Sequence, residues 1–107
     1  MKKFTMDDFS TDTPHSYPTK EMDELFDVIL SLKTQKEAAN FFRDLLTMAE
    51  LKEFSNRWQM VKLLAKGKPY LEIAQTLKVS TTTVARVAHW LNDGLGGYAL
   101  ALTKTKK

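Results

Sequence analysis

Three consecutive hydroxyl side chains, Thr81, Thr82 and Thr83, follow Ser80 and precede Arg86 in the stretch "KVSTTTVARVAHW". Threonine is a mediocre helix former, and a run of three gains nothing for a buried core. Brought to one place, however, short hydroxyls hydrogen-bond phosphates or base edges, and a threonine methyl can touch the methyl of thymine. Ser80 has the type and position to cap a helix that begins at Thr81, which sets the three threonines in its first turn. The competing reading is that they are solvent-facing residues beside a cap.

Other chemistry has little to work with. The chain has no cysteine, hence no disulfide framework, no thiolate zinc site and no cysteine nucleophile. Its two histidines are His15 and His89, and neither is read as having a carboxylate at ligand or catalytic spacing. No glycine-rich loop is placed to cradle phosphates. The expectation is a protein that is not an enzyme and has no catalytic residue, metal or resident cofactor.

The elements that would position the threonines form a pattern of their own. From Tyr70 to His89 the chain reads "YLEIAQTLKVSTTTVARVAH". Ile73, Ala74 and Leu77 define a first short helix, Val79 sits in a turn, and Val84 and Val87 lie on a second. Ala74 is small where two helices would cross closely. These spacings match a helix-turn-helix over about 70–89, with Lys78 where the corner usually prefers glycine. In that motif the first turn of the second helix enters the major groove of DNA. Ser80, Thr81, Thr82, Thr83, Ala85, Arg86 and His89, with Lys68 and Lys78 beside them, become candidate contacts to double-stranded DNA. Lys62 and Lys66 extend the basic patch.

Charge supports that partner. Residues 1–50 hold six Lys and Arg against ten Asp and Glu, a net of −4; residues 51–107 hold ten against three, a net of +7. Segregation of this kind fits one half of a chain meeting a polyanion, against the plainer reading of a solvated basic surface.

Across the rest of the chain, 43% hydrophobic and 27% charged residues in a length of 107 indicate one globular domain with a modest core. No apolar run approaches the ~20 residues needed to span a bilayer, and "MKKFTMDDFSTD" lacks the apolar stretch of a signal peptide. The expectation is a cytoplasmic protein with no membrane association. Residues 1–17 read as a flexible arm, 18–93 as the helical dimerisation and helix-turn-helix domain, and 94–107 as a tail in which "YALAL" is either a docking turn or a short helix. Met22, Leu25, Phe26, Ile29 and Leu30 make one helical stripe; Ala38, Phe41, Phe42, Leu45 and Leu46 a second; Leu51, Phe54, Trp58, Val61 and Ala65 a third. "TQKE" and "TMAE" have the form of capping boxes on Thr34 with Glu37 and on Thr47 with Glu50. Gly67 suits a left-handed helix end, and Pro69 the first position of the next helix. No strand pattern appears, so the fold class is all-α.

The segment "TMAELKEFSNRWQMVKLLAKGKPYLEIAQTLKVSTTTVARV" resembles the core of the Trp repressor superfamily, and looks like its small Trp-repressor-related bacterial branch. The match covers about residues 45 to 91; upstream it is one of helical layout, and "GGYALAL" departs from the Trp repressor itself. The resemblance implies an interlocked homodimer that presents two recognition helices to successive major grooves, as a transcriptional regulator acting on a (pseudo)palindromic operator, in most cases as a repressor. It gives Phe26, Phe41, Phe42 and Phe54 a role at a subunit interface, against a plain intrachain core. The Trp repressor holds tryptophan between two arginines, whose counterparts here are Arg57 and Arg86. Where that pocket has a glycine and a serine, this chain has Val87 and Trp90. The indole of Trp90 then either fills the space of a free ligand, making L-tryptophan dispensable, or is an ordinary core residue. A rival from another class is a dimeric helical adaptor that docks on a protein such as RNA polymerase.

Overall fold

The computed structural model describes residues 16–105, so the expected arm at 1–17 falls almost wholly outside the described residues. Among the described residues there are six helices and no strand: α1 (Lys20–Ser31), α2 (Gln35–Leu45), α3 (Met48–Ala65), α4 (Tyr70–Leu77), α5 (Thr81–Asp93) and α6 (Gly97–Thr105). The all-α expectation holds. The "YALAL" segment, left open between turn and helix, lies in α6. The chain divides into two compact units, 1–47 and 48–107.

The first unit contains α1 and α2. Thr19 caps α1 by accepting the Met22 amide at 3.2 Å, and the Met22 sulfur accepts the Thr19 amide at 3.5 Å. Methionine here takes the reciprocal role that Glu or Gln usually fills. Thr34 caps α2 as expected, accepting the Glu37 amide at 3.0 Å. The reciprocal bond differs from the expected box: the Glu37 carboxylate accepts the Lys33 amide, at 2.8 Å, one residue before the cap. At the other end Arg43 donates from Nη1 to the Leu46 carbonyl at 3.0 Å, satisfying one orphan acceptor of α2. No residue of either helix is buried, and Phe26 and Leu30 stay 37% and 80% exposed.

The second unit contains α3 to α6 and the core. Val61, Ile73 and Val84 are fully shielded, and Met60, Ala74 and Val87 complete the cluster. Each large side chain so buried contributes roughly 1.5–3 kcal/mol. Leu77, Val79, Tyr98 and Leu102 pack around it, so α6 supplies two of its walls. The third sequence stripe needs correcting. Phe54 is 45% exposed and Ala65 is also exposed, whereas Met60, absent from the stripe, is buried. Only the C-terminal half of α3 enters this core, and there Met60 and Val61 go in side by side.

α3 ends in a Schellman motif. Gly67 has φ 79, its amide donates to Leu64 at 2.9 Å, and the Lys68 amide donates to Leu63 at 3.2 Å. The positive φ at Gly67 is the feature its sequence position foretells. Pro69 sits one place earlier than expected, as the N-cap of α4 rather than its first residue. Its fixed φ of −64 still suits the entry, and its carbonyl accepts the Ile73 amide at 3.0 Å.

Candidate nucleic-acid interface

The corner between α4 and α5 sets the pose of the hydroxyl-rich start of α5. Lys78 takes the left-handed conformation, φ 60 and ψ 47, and its amide donates to the Ala74 carbonyl. The Val79 amide donates to the same carbonyl at 3.0 Å. A left-handed L-residue costs roughly 1–2 kcal/mol, offset here by packing, because Ile73 and Ala74 before it are buried and Val79 after it packs on the core.

Ser80 caps α5. It is extended (φ −80, ψ 156), and its Oγ accepts the Thr83 amide at 3.1 Å. The hydroxyls of Ser80 and Thr83 also pair, at 2.9 Å. Val84, Val87 and Ala88 are buried on the inward side of α5, while Thr81, Thr82 and Ala85 are exposed. Thr83, Arg86, His89 and Trp90 are half-buried. The helix is thus fastened along one edge, and its first turn opens to solvent.

The remaining candidate residues are placed as follows. Lys78 is exposed, as is Lys68, whose Nζ lies 3.7 Å from Glu72. Lys62 and Lys66 are exposed one turn apart at the end of α3. The Nε of Arg86 is buried, so its charged head is only partly presented to solvent. His89 corrects the sequence reading. Asp93 does stand at pairing distance, with Nδ1 to Oδ2 at 3.7 Å, and the spacing of four on one helix was the available signal. The His89 ring also meets Trp90 edge-on, with centroids 5.3 Å apart. Among the described residues no group of three or more His, Asp or Glu could hold a metal ion, and no helix is long and apolar enough to cross a membrane.

Of the four residues considered for an effector, three lie on α5 and one on α3. Arg57 is engaged within its own helix, 2.9 Å from Glu53 and with its guanidinium 5.5 Å from the centre of the Phe54 ring. The guanidinium thus forms a cation–π pair with Phe54. Val87 is 5% exposed and belongs to the core cluster. The Trp90 carbonyl accepts the Gly94 amide at 3.0 Å where α5 ends. A Cβ on Gly94 would collide with that carbonyl and press on the indole, so glycine is required there.

Comparison with known proteins agrees with the all-helical fold. The family model described as Trp repressor protein matches residues 20–106. The chain is 39% identical over 88 residues to the uncharacterized protein YerC of Bacillus subtilis (strain 168), covering 82% of this chain and 85% of that protein. Its fold superposes on a TrpR like protein from Eubacterium eligens with a TM-score of 0.79 at 36% identity, covering 85% of this chain and 94% of the other. A solved Staphylococcus aureus chain gives 0.73 at 38% identity, covering 78% and 84%.

Proposed function

The chain belongs to the Trp repressor protein family, and from that premise we propose that it is a sequence-specific, DNA-binding transcriptional regulator, acting as a repressor. The observation that carries this reading is the exposed first turn of α5, with Thr81 and Thr82 open to solvent on a helix whose other edge is locked into the core. Exposed Lys62, Lys66, Lys68 and Lys78 supply counter-charge for phosphates, so binding is expected to weaken steeply with salt.

It acts as a homodimer. The support is physical: α1 and α2 bury none of their residues within the single chain, yet carry Phe26, Leu30 and Leu45 exposed. Apolar area of that extent is normally covered by a partner, and two copies related by a two-fold axis would read a symmetric operator with half-sites ~34 Å apart. L-tryptophan is not required for DNA binding, because Val87 fills core space beside the candidate ligand position and Arg57 already has partners.

Selection of bound sequences from a random duplex library, with and without L-tryptophan, tests the reading. An inverted repeat enriched in both arms is expected. Enrichment with tryptophan alone would make the amino acid a corepressor. No enrichment, together with salt-insensitive capture of RNA polymerase, would favour the adaptor.

A further inference from the structure

We infer that the three threonines of α5 divide their work: Thr82, with Ala85, discriminates bases, whereas Thr83 is a positioning residue that fixes the angle at which they are presented. The inference rests on the proposal that α5 reads DNA. Its basis is the unequal environment of three chemically identical side chains. The Thr83 amide and hydroxyl both turn back onto Ser80, at 3.1 Å and 2.9 Å, and its side chain is half-buried. Thr81 and Thr82 are exposed.

Helical phase separates them further. At about 100° per residue, Thr82, Ala85 and His89 recur at three and four along one ribbon, opposite the buried Val84, Val87 and Ala88. Thr83 falls on the flank that carries Arg86 and Trp90. Of the hydroxyls past the cap, that of Thr82 stands on the outward ribbon. The Ala85 methyl, one turn on, has the size and chemistry to meet a thymine methyl. Thr83 spends its hydroxyl on the cap. The Ser80–Thr83 pair therefore joins the corner to the first turn of α5, so losing it alters the presentation of every contact at once.

Consensus sequences and affinities of the full chain and its Thr82→Ala, Thr83→Val and Thr83→Ser variants, taken at one salt concentration, test this. Thr82→Ala is expected to change the preferred base at one position in each half-site. Thr83→Val should keep the wild-type consensus and weaken matched and mismatched sites alike by roughly two- to tenfold, the factor corresponding to one neutral hydrogen bond. Thr83→Ser, which keeps the hydroxyl, should restore affinity. Circular dichroism checks folding, and Thr83→Ala is the second hydroxyl-free variant if valine does not fit. A consensus altered by Thr83→Val or Thr83→Ala, wild-type affinity in either, or a consensus unchanged by Thr82→Ala overturns the division of roles. A wild-type chain that enriches no sequence overturns the DNA reading itself, and this inference with it.

Discussion

Lys78 donates its amide to the Ala74 carbonyl from a left-handed backbone, at φ 60 and ψ 47, so the corner between α4 and α5 is made by a residue with a full side chain. Glycine would adopt that conformation without the Cβ clash. Lysine keeps a positive charge at the mouth of the proposed interface, and the two requirements oppose each other. Lys78→Gly is expected to stabilise the fold by about 0.5–1 kcal/mol, the usual glycine advantage at such a site net of its unfolded-state entropy. For a domain of this size that raises the melting temperature by roughly 2–8 °C. The same variant should bind DNA more weakly, with the slope of log K against log salt shallower by about one. Thermal melts and a salt titration of DNA binding check both halves; an unchanged slope removes Lys78 from the phosphate contacts.

Thr82→Asp separates fold from function. An acid in the first turn of α5 interacts favourably with the helix dipole, by roughly 0.3–1 kcal/mol, so the melting temperature should hold or rise. The same carboxylate would face the phosphates lining the groove, and affinity for the selected operator should fall below detection in fluorescence anisotropy. Normal DNA binding by this variant would show that α5 does not enter the groove by its first turn.

How far the sequence could be read depended on whether a feature is periodic and local. Ile73, Ala74, Leu77, Val79, Val84 and Val87 all lie in or against the core, as their spacing requires, because burial on one edge of a helix forces apolar residues to recur at three and four. Ser80, Thr34 and Gly67 were legible for the same local reason, since each end of a helix leaves orphan polar groups that few residue types can satisfy. Side-chain partners chosen among equals were not legible. Nothing in "TTT" tells that the Thr83 hydroxyl pairs with that of Ser80, nor does "TQKE" tell that Glu37 takes the Lys33 amide instead of that of Thr34. Met60 and Phe54 exchange the roles that periodicity assigns them because only half of α3 meets α4 and α5. The pairing of His89 with Asp93 is local too, a spacing of four on one helix face.

Self-association should depend on α1. Phe26 is 37% exposed and Leu30 80% exposed in the single chain. Phe26→Asp removes the remaining exposed apolar surface of that ring from each copy of a symmetric dimer and leaves a carboxylate facing the partner, together roughly 1.5–3 kcal/mol apiece. The dimer dissociation constant should rise on the order of a hundredfold or more. Sedimentation at micromolar concentration is expected to give a dimer for the wild type and a monomer for the variant, with helix content retained from the second unit, whose core contains no α1 residue. A wild-type chain that sediments as a monomer at every concentration would end the homodimer proposal.

Two obstacles stand in the way of tryptophan acting as corepressor, and they are unequal. To sandwich an indole, Arg57 would have to leave Glu53 and Phe54. Both contacts are exposed and each is worth about 1 kcal/mol or less. A ligand able to pair with the guanidinium would replace that energy easily. Val87 is the greater obstacle. It is 5% exposed and sits in the core cluster with Met60 and Val84. Driving it out to make room costs roughly 1.5–3 kcal/mol of lost burial, before the strain imposed on its neighbours. That alone lowers affinity about ten- to a hundredfold. Calorimetric titration of the full chain with L-tryptophan is therefore expected to give no saturable heat at micromolar concentration, and affinity for the selected operator should be the same with and without it. A saturable micromolar isotherm would show that the core opens beside Val87 at little cost, and that the chain has kept a ligand site.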